Sequence, residues 1–399
     1  MPTTSESSMT DTPQKQAAAL PLMFQPKTLR GLTVKNRIVV SPMSQYSAVD
    51  GAPTDWHLVH LGKFASGGAG IVFCEETSVS ERSRKTYDCP GIYTDAQAKA
   101  WKRVTDFIRT QGAASAIQLG HAGRKVATRA PWDGFAPLSA ADAANGRPPW
   151  SGLAPSPIPF KEGAMAPKEM DHDDIKYVIQ AHVDAAKRSL DAGFDVVEIH
   201  GAHGYIIQQF LSPITNKRTD AYGGDMEGRM RFGLELIEAV RDAWPADRPL
   251  FFRGSCVDGR GGAWSLEDTI VLAAALKERG VDVFDCSSGG IDGPLTLHVV
   301  PRVPGYHVPF AKRIREETGI PTMAVGLIRE AEQAEGYLQA GDCDFVALAR
   351  EFMWDPNWPV HAAAKLGVPD PHNLLPRSYA WWLQKREETL ALTAGDAAR

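Results

Sequence analysis

The sequence predicts an α/β fold, a (β/α)8 TIM barrel with an inserted excursion after its third strand. Three observations carry that expectation. Short apolar, β-branched runs alternate with longer segments of helical period. Eight such runs follow one another within the 399 residues. Polar residues gather where the runs end, which is where a barrel of this kind keeps its chemistry. An open doubly wound sheet shares the alternation. It wants a glycine-rich phosphate turn after its first strand, however, and Ser41-Pro42-Met43-Ser44 is not one.

The strands are expected at 37–42, 70–75, 115–119, 195–200, 250–253, 281–286, 322–325 and 345–349. A helix is expected over 95–109, because Ala98, Trp101, Val104 and Ile108 share one face. A second spans 173–190. Asp171 or Asp173 can cap it, Ile175, Val178, Ile179, His182 and Ala186 share a face, and Gly193 stops it. The segment 231–244 ends before Pro245, and 265–279 opens Ser-Leu-Glu-Asp and is followed by Gly280. The segments 310–318 and 330–340 stop at Gly319 and Gly341. The interval 125–168 is rich in Pro, Gly and Ala and too long for a plain loop, so it is expected to shape the mouth.

The folded unit is expected over 22–387. Residues 1–21 are rich in Ser, Thr, Ala and Gln and have no apolar secretory core, so a disordered extension is expected there. Residues 388–399 are expected to be a C-terminal tail. Lys plus Arg is 43 and Asp plus Glu is 48, a net charge of −5 with no basic cluster, which argues against nucleic-acid binding. No apolar run reaches the length of a membrane span. The five cysteines are scattered without disulfide or CxxC spacing, as in a reducing, cytoplasmic protein.

At the strand ends, His200-x-x-His203 admits three readings. Paired imidazoles can ligate a metal, but the spacing is not HExxH and no further acidic ligand is evident beyond Glu198. They can be structural, bonded to backbone. Or two N–H donors can converge on one ligand oxygen and polarise a carbonyl or nitro group. Tyr205 follows; as a phenol with an ordinary pKa near ~10 it can act as a general acid, or sit in the core with its hydroxyl satisfied. Arg253 lies on the apolar run Leu250-Phe251-Phe252, so burial requires a partner: a ligand that becomes negative, or an acid on a neighbouring strand. Gln118 can donate and accept at once, as a heteroaromatic edge demands, or be a satisfied core amide. Gly326 and Arg350 end the last two strands, where barrels commonly hold phosphate; a solvated Arg350 is the alternative.

Several strings carry a resemblance. They are Leu32-Thr33-Val34-Lys35-Asn36-Arg37, Asp55-Trp56-His57-Leu58-Val59-His60, Gln118-Leu119-Gly120-His121-Ala122-Gly123-Arg124-Lys125, His200-Gly201-Ala202-His203-Gly204-Tyr205 and the run from Ser212 to Gly224. With them the chain resembles the Old Yellow Enzyme family of FMN-dependent ene-reductases, in its thermophilic-like branch with the xenobiotic reductases. The resemblance implies FMN as cofactor and NADPH or NADH as reductant. It implies reduction of enones, enals, maleimides or nitroalkenes, and a homodimer or homotetramer. It implies that Pro42, Met43 and Ser44 line the flavin, with a largely backbone contact at Glu76. Gln118 would meet its pyrimidine edge, Arg253 its reduced anion, and Gly326, Ala349 and Arg350 its phosphate. His200 and His203 would bind the activating oxygen, Tyr205 would deliver the proton, and Tyr46 would touch substrate.

Three departures stand out. Ser44 occupies a position that is Cys in many of that branch, so no thiol switch is expected there. Glu76 replaces a small residue, and its carboxylate would oppose a reduced flavin unless it points away. Ser378-Tyr379-Ala380-Trp381-Trp382 lacks an arginine that some relatives carry; Trp382 is the candidate for shaping the pocket, or for a buried anchor. Competing readings are a metal-dependent barrel hydrolase and a flavin-binding sensor or scaffold. A dienoyl-CoA-type reductase is disfavoured by the lack of a cysteine cluster.

Overall fold

The computed structural model describes residues 19–291 and 300–397. The expected N-terminal extension lies largely outside the described residues. Eight parallel strands close a barrel in sequential order. They are β1 (Ile38–Val40), β2 (Ile71–Ser78), β3 (Ala114–Gly120), β4 (Val196–Gly201), β5 (Leu250–Ser255), β6 (Val283–Ser287), β7 (Thr322–Val325) and β8 (Phe345–Leu348). Helices α1 (Asp55–Ser66), α2 (Asp95–Thr110), α3 (His172–Asp191), α4 (Met226–Ala243), α5 (Leu266–Glu278), α6 (Val308–Thr318), α7 (Ala331–Gln339) and α8 (Trp358–Lys365) surround it. A last helix, α9 (Arg377–Ala397), follows.

The barrel interior obeys the strand period of two. Val39, Phe73, Ala116, Val196, Phe251, Val283, Met323 and Phe345 fill its lower layers as one apolar cluster. Leu29 and Val34, on an antiparallel hairpin of Lys27–Leu29 with Leu32–Val34, close the bottom. The same parity, continued upward, brings Gln118, Glu198, His200, Arg253, Asp285 and Ser287 into the top layer. Apolar residues therefore hold the closed end, and polar ones converge at the carboxyl ends of the strands.

Capping explains where the helices begin. Asp171 accepts from Asp173 N and Asp174 N at 3.0 and 2.9 Å and starts α3. Asp225 accepts from Gly228 N at 2.9 Å, so α4 begins five residues before the apolar face at 231 suggests. Helix α1 was not anticipated. His57 Nδ1 accepts from Thr54 N at 2.9 Å, a capping interaction made by an imidazole. The buried face of α1 includes His57 and His60 as well as Leu61 and Phe64, so its apolar period is broken.

Two expected boundaries need correction. β2 runs to Ser78, through Glu75 and Glu76, instead of ending at 75, with a register shift between Phe73 and Glu76. The acids stay in the strand because each meets a buried cation or donor, as described below. The chain does not change character at 388 either. Helix α9 continues to Ala397, exposed from Lys385 to Thr393, with a Lys385–Glu388 ion pair at 2.7 Å one turn apart. Among the described residues no helix is long and apolar enough to cross a membrane.

Candidate active site

The floor of the site is a charged layer built by strand register. Gln118 pairs with Glu198, and Arg253 lies between His200 and Asp285. Gln118 Nε2 donates to Glu198 Oε1 at 2.8 Å, while Glu198 Oε2 is buried with no hydrogen-bond partner among the described residues. Arg253 Nη1 donates to Ser41 Oγ at 3.1 Å. Its Nε lies 3.1 Å from Asp285 Oδ2, an ion-pair distance that is not aligned as a hydrogen bond. Burial pushes the Asp285 carboxyl up to about 6 against the pull of Arg253. Burial, then Asp285, push Glu198 well above the usual carboxylate range, again against Arg253. Arg253 is thus paired to an acid on the next strand, and it also lines a cavity.

The loop after β4 sets the histidines. His203 and Gly204 both take left-handed backbone, at φ 58° and 71°. A Cβ at Gly204 would meet Gly290 O at 2.1 Å, so only glycine fits there. The His200 and His203 rings are 5.0 Å apart, and the His200 and Tyr205 rings 4.9 Å apart. Ala202 N donates to His200 Nδ1 at 3.4 Å, which leaves Nε2 as the protonated nitrogen. His203 Nε2 meets Ser287 Oγ at 2.7 Å. Burial first, then neighbouring charges including Arg253, lowers both imidazoles well below the ordinary value, so they act as neutral groups. Among the described residues no set of three or more His, Cys, Asp and Glu side chains comes together as a metal site.

Two cavities open on this loop. The larger, about 410 Å³, runs across the strand ends from Arg253 and His203 past Pro42 to Gly326, Ala349 and Arg350. Arg302 and Arg329 line it at the same end as Arg350. The backbone of Gly326 has φ 125°, and a Cβ there would come within 2.8 Å of the Tyr306 ring. A flat, polar ring system ending in a phosphate fits this donor set. One buried cation faces one end, and three guanidiniums and a side-chain-free backbone face the other. The smaller cavity, about 160 Å³, is lined by Tyr205, Lys85, Lys125, Thr128, Phe135 and Phe160. His200 touches both His203 and Tyr205 and so stands between the two.

The remaining expected residues divide. Met43 packs against the core beside Pro42. Tyr46, at φ 52°, stands edge-on to Trp132 at 5.5 Å and Phe135 at 6.5 Å, both from the excursion. Ser44 Oγ accepts from Lys85 Nζ at 2.7 Å, and Lys85 Nζ lies 2.8 Å from Glu76 Oε2. Glu76 thus points to a buried lysine, which resolves the conflict its charge posed. Glu75 is held by Gln45 N at 2.8 Å and by His57 Nε2 at 3.2 Å. Trp382 is not brought to either cavity. It lies on α9, 68% exposed, against Trp381, so within one chain it neither shapes the pocket nor anchors the core.

Lys85, Asp285, Arg302 and Arg329 were not anticipated. For Lys85 a signal existed: a carboxylate at residue 76, inside an apolar strand, demands a cation nearby. For Asp285 the signal was its parity with Arg253 across neighbouring strands. Arg302 and Arg329 lie on loops, where spacing carries no register.

Residues 22–368 match the model of the NADH:flavin oxidoreductase / NADH oxidase family. The chain is 43% identical over 349 residues to an NADPH dehydrogenase of Geobacillus sp. (strain WCH70), covering 87% of this chain and 95% of the relative. An NADPH dehydrogenase of Geobacillus thermodenitrificans (strain NG80-2) matches with the same identity and coverage. Among solved structures, morphinone reductase in complex with tetrahydroNAD superposes with a TM-score of 0.70 at 26% identity, over 89% of this chain and 94% of that one. A 2-naphthoyl-CoA reductase shares the fold, with a TM-score of 0.75 at 24% identity, over 88% of this chain and 53% of that one.

Proposed function

The chain belongs to the NADH:flavin oxidoreductase / NADH oxidase family, the Old Yellow Enzyme family, and is an FMN-dependent NAD(P)H oxidoreductase; from that premise we propose that it reduces the activated C=C bond of α,β-unsaturated carbonyl or nitro compounds. Bound FMN supplies the two-electron redox chemistry, taking hydride equivalents from NADPH and passing them to an acceptor.

The chain's own residues do the rest. Arg302, Arg329 and Arg350 would hold the phosphate, with Gly326 and Ala349 keeping the backbone close. Arg253 would place a fixed cation beside the redox ring, and Gln118, oriented by Glu198, would meet its polar edge. Met43, Pro42, Ser44 and the backbone at Glu76 would line the ring. His200 and His203 would donate to the substrate oxygen as charge develops there. They suit this as neutral imidazoles, because a donor fixed before the reaction needs no reorganisation. Tyr205 would give its proton to the α-carbon. Tyr46, with Trp132 and Phe135 across its ring, would border the substrate.

The single observation that carries this reading is the clustering of His200, His203 and Tyr205, with His203 lining the cavity that Arg253 faces and Tyr205 the smaller one beside it. Small-molecule enones, enals, maleimides or nitroalkenes are the partners it implies. Assembly as a homodimer or homotetramer belongs to the same reading; Trp354 and Trp382, 86% and 68% exposed, favour burial against another copy.

The test is an absorption spectrum of the purified protein, followed anaerobically by NADPH and then cyclohexenone. Flavin bands that bleach with NADPH and return with the enone are expected. Bands that bleach but do not return with any activated alkene would refute the ene-reductase reading and favour a sensor or scaffold.

A further inference from the structure

Lys85 touches four residues of the site. Its Nζ donates to Ser44 Oγ at 2.7 Å and pairs with Glu76 Oε2 at 2.8 Å. The same ammonium lies 5.7 Å from the centroid of the Tyr46 ring and 5.6 Å from that of Tyr205. The residue is 5% exposed, and with Tyr205 it lines the smaller cavity.

A buried ammonium is costly unless its charge is answered. Burial alone would pull Lys85 down. The Glu76 carboxylate first, then Tyr205, Cys89 and Tyr46, together outweigh it and hold the lysine well above its ordinary value. One N–H is donated to Ser44, Glu76 answers the charge at ion-pair distance, and both tyrosine rings lie within 6 Å of the ammonium. The position is thus a permanent cation held by a strand acid beside the phenol that would serve as proton donor.

We propose that Lys85 is a positioning residue for proton delivery, making the loss of the Tyr205 proton less costly by stabilising the phenolate it leaves. The inference rests on the ene-reductase reading above. The step balances as follows. The β-carbon gains a hydride from the reduced cofactor, and the π pair moves to the activating oxygen as an enolate. The enolate α-carbon then takes the Tyr205 proton, and the carbonyl is restored. Tyr205 is left as a phenolate until water returns a proton. Burial pushes that phenol up, and Lys85 draws it down. Glu76, which would otherwise be a lone carboxylate in the site, is explained by the same device: it keeps Lys85 charged where water is scarce.

The test is a double-mutant cycle on the enone half-reaction of the flavin-loaded enzyme. Lys85→Met is measured with Tyr205 present and with Tyr205→Phe. If Lys85→Met does not fold because Glu76 is stranded, E76Q/K85M removes both charges together. The expected result is a slowing of about tenfold or more when Tyr205 is present, and less than twofold when it is Phe. Lys85→Arg should recover most of the rate, and the solvent deuterium isotope effect should grow in Lys85→Met. Equal slowing in both backgrounds would assign Lys85 a merely structural role and overturn the proposal, as would no slowing in either. If Tyr205→Phe alone leaves alkene reduction unchanged, the proton-donor reading fails, and the proposal with it.

Discussion

The imidazole of His200 stands 4.9 Å from the phenol ring of Tyr205, edge to face at 74°, in a layer that is 3% exposed at His200. An aromatic contact of this geometry fixes both rings without using either polar end. His200 keeps Nε2 for a ligand because its Nδ1 is occupied by backbone, and Tyr205 lines the smaller cavity.

His200→Ala therefore removes one of two donors to the substrate oxygen. Weaker binding of phenolic ligands is expected, with a rate loss of about ten- to a thousandfold, the range for one lost electrostatic donor. Titration of the flavin spectrum with 4-hydroxybenzaldehyde measures the first, and stopped-flow kinetics the second. Unchanged affinity would sink the assignment.

Tyr205→Phe separates the two half-reactions. Hydride transfer from NADPH needs no proton donor, so flavin bleaching should keep its rate within a factor of about two, while reoxidation by cyclohexenone should slow by about 10²-fold or more. Equal losses in both would mean that Tyr205 shapes the pocket and does not deliver the proton.

The barrel was readable because its inward residues keep a strict alternation. Phe251 and Arg253 lie two apart on β5, and the lower one is core while the upper one is site. Helix α1 was hidden because imidazoles stand where aliphatic residues would signal a face. The reach of β2 was hidden because Glu75 and Glu76 look like a strand's end until His57 and Lys85 are placed beside them. Such pairs join residues whose distance in sequence follows no period. Trp382 failed for a different reason: an aromatic near the C-terminus has no intrachain register to fix it, and it is 68% exposed. His200, His203, Tyr205 and Arg253 could be named in advance because each is polar at the top of an otherwise apolar strand or in the loop that follows it.

Gly326 carries a prediction about cofactor retention. Its φ of 125° is outside the range that side-chain-bearing residues adopt readily, and a Cβ would press on the Tyr306 ring at 2.8 Å. Tyr306 lines the same cavity as Arg350. Gly326→Val should weaken FMN retention by about tenfold or more at little cost to the barrel core, since the residue lies above it. Release of FMN fluorescence on dilution reads this directly; retention equal to that of the parent would place the phosphate elsewhere.

Stability should fall on the acid side, and buried histidines give the sign. Burial lowers His60 to about 4, His182 to about 4, and His121 and His307 to about 3. Each is a base whose folded pKa lies below its unfolded value near ~6.5. Between those values the unfolded chain binds more protons than the folded one, so the free energy of unfolding rises with pH there. The contribution is fully present above about pH 6.5 and is lost as pH falls toward the folded values, at about 1.4 kcal/mol per residue for each pH unit. Asp285, raised to about 6, acts in the opposite sense: it favours the folded state while protonated and loses that advantage as pH rises from about 4 to 6. Glu198 and Glu351 are raised as well, and His200 and His203 are lowered like the other four histidines, so three such acids stand against six such histidines and the acid side is less stable. Chemical denaturation at pH 7 and pH 5 should show the midpoint falling. His182 is the cleanest probe, because it is fully buried on α3 away from the site, with its ring bonded to Val178 O at 2.8 Å. In His182→Gln the pH dependence should flatten by one histidine's share. A slope identical to the parent's would show that His182 takes up its proton in the folded state.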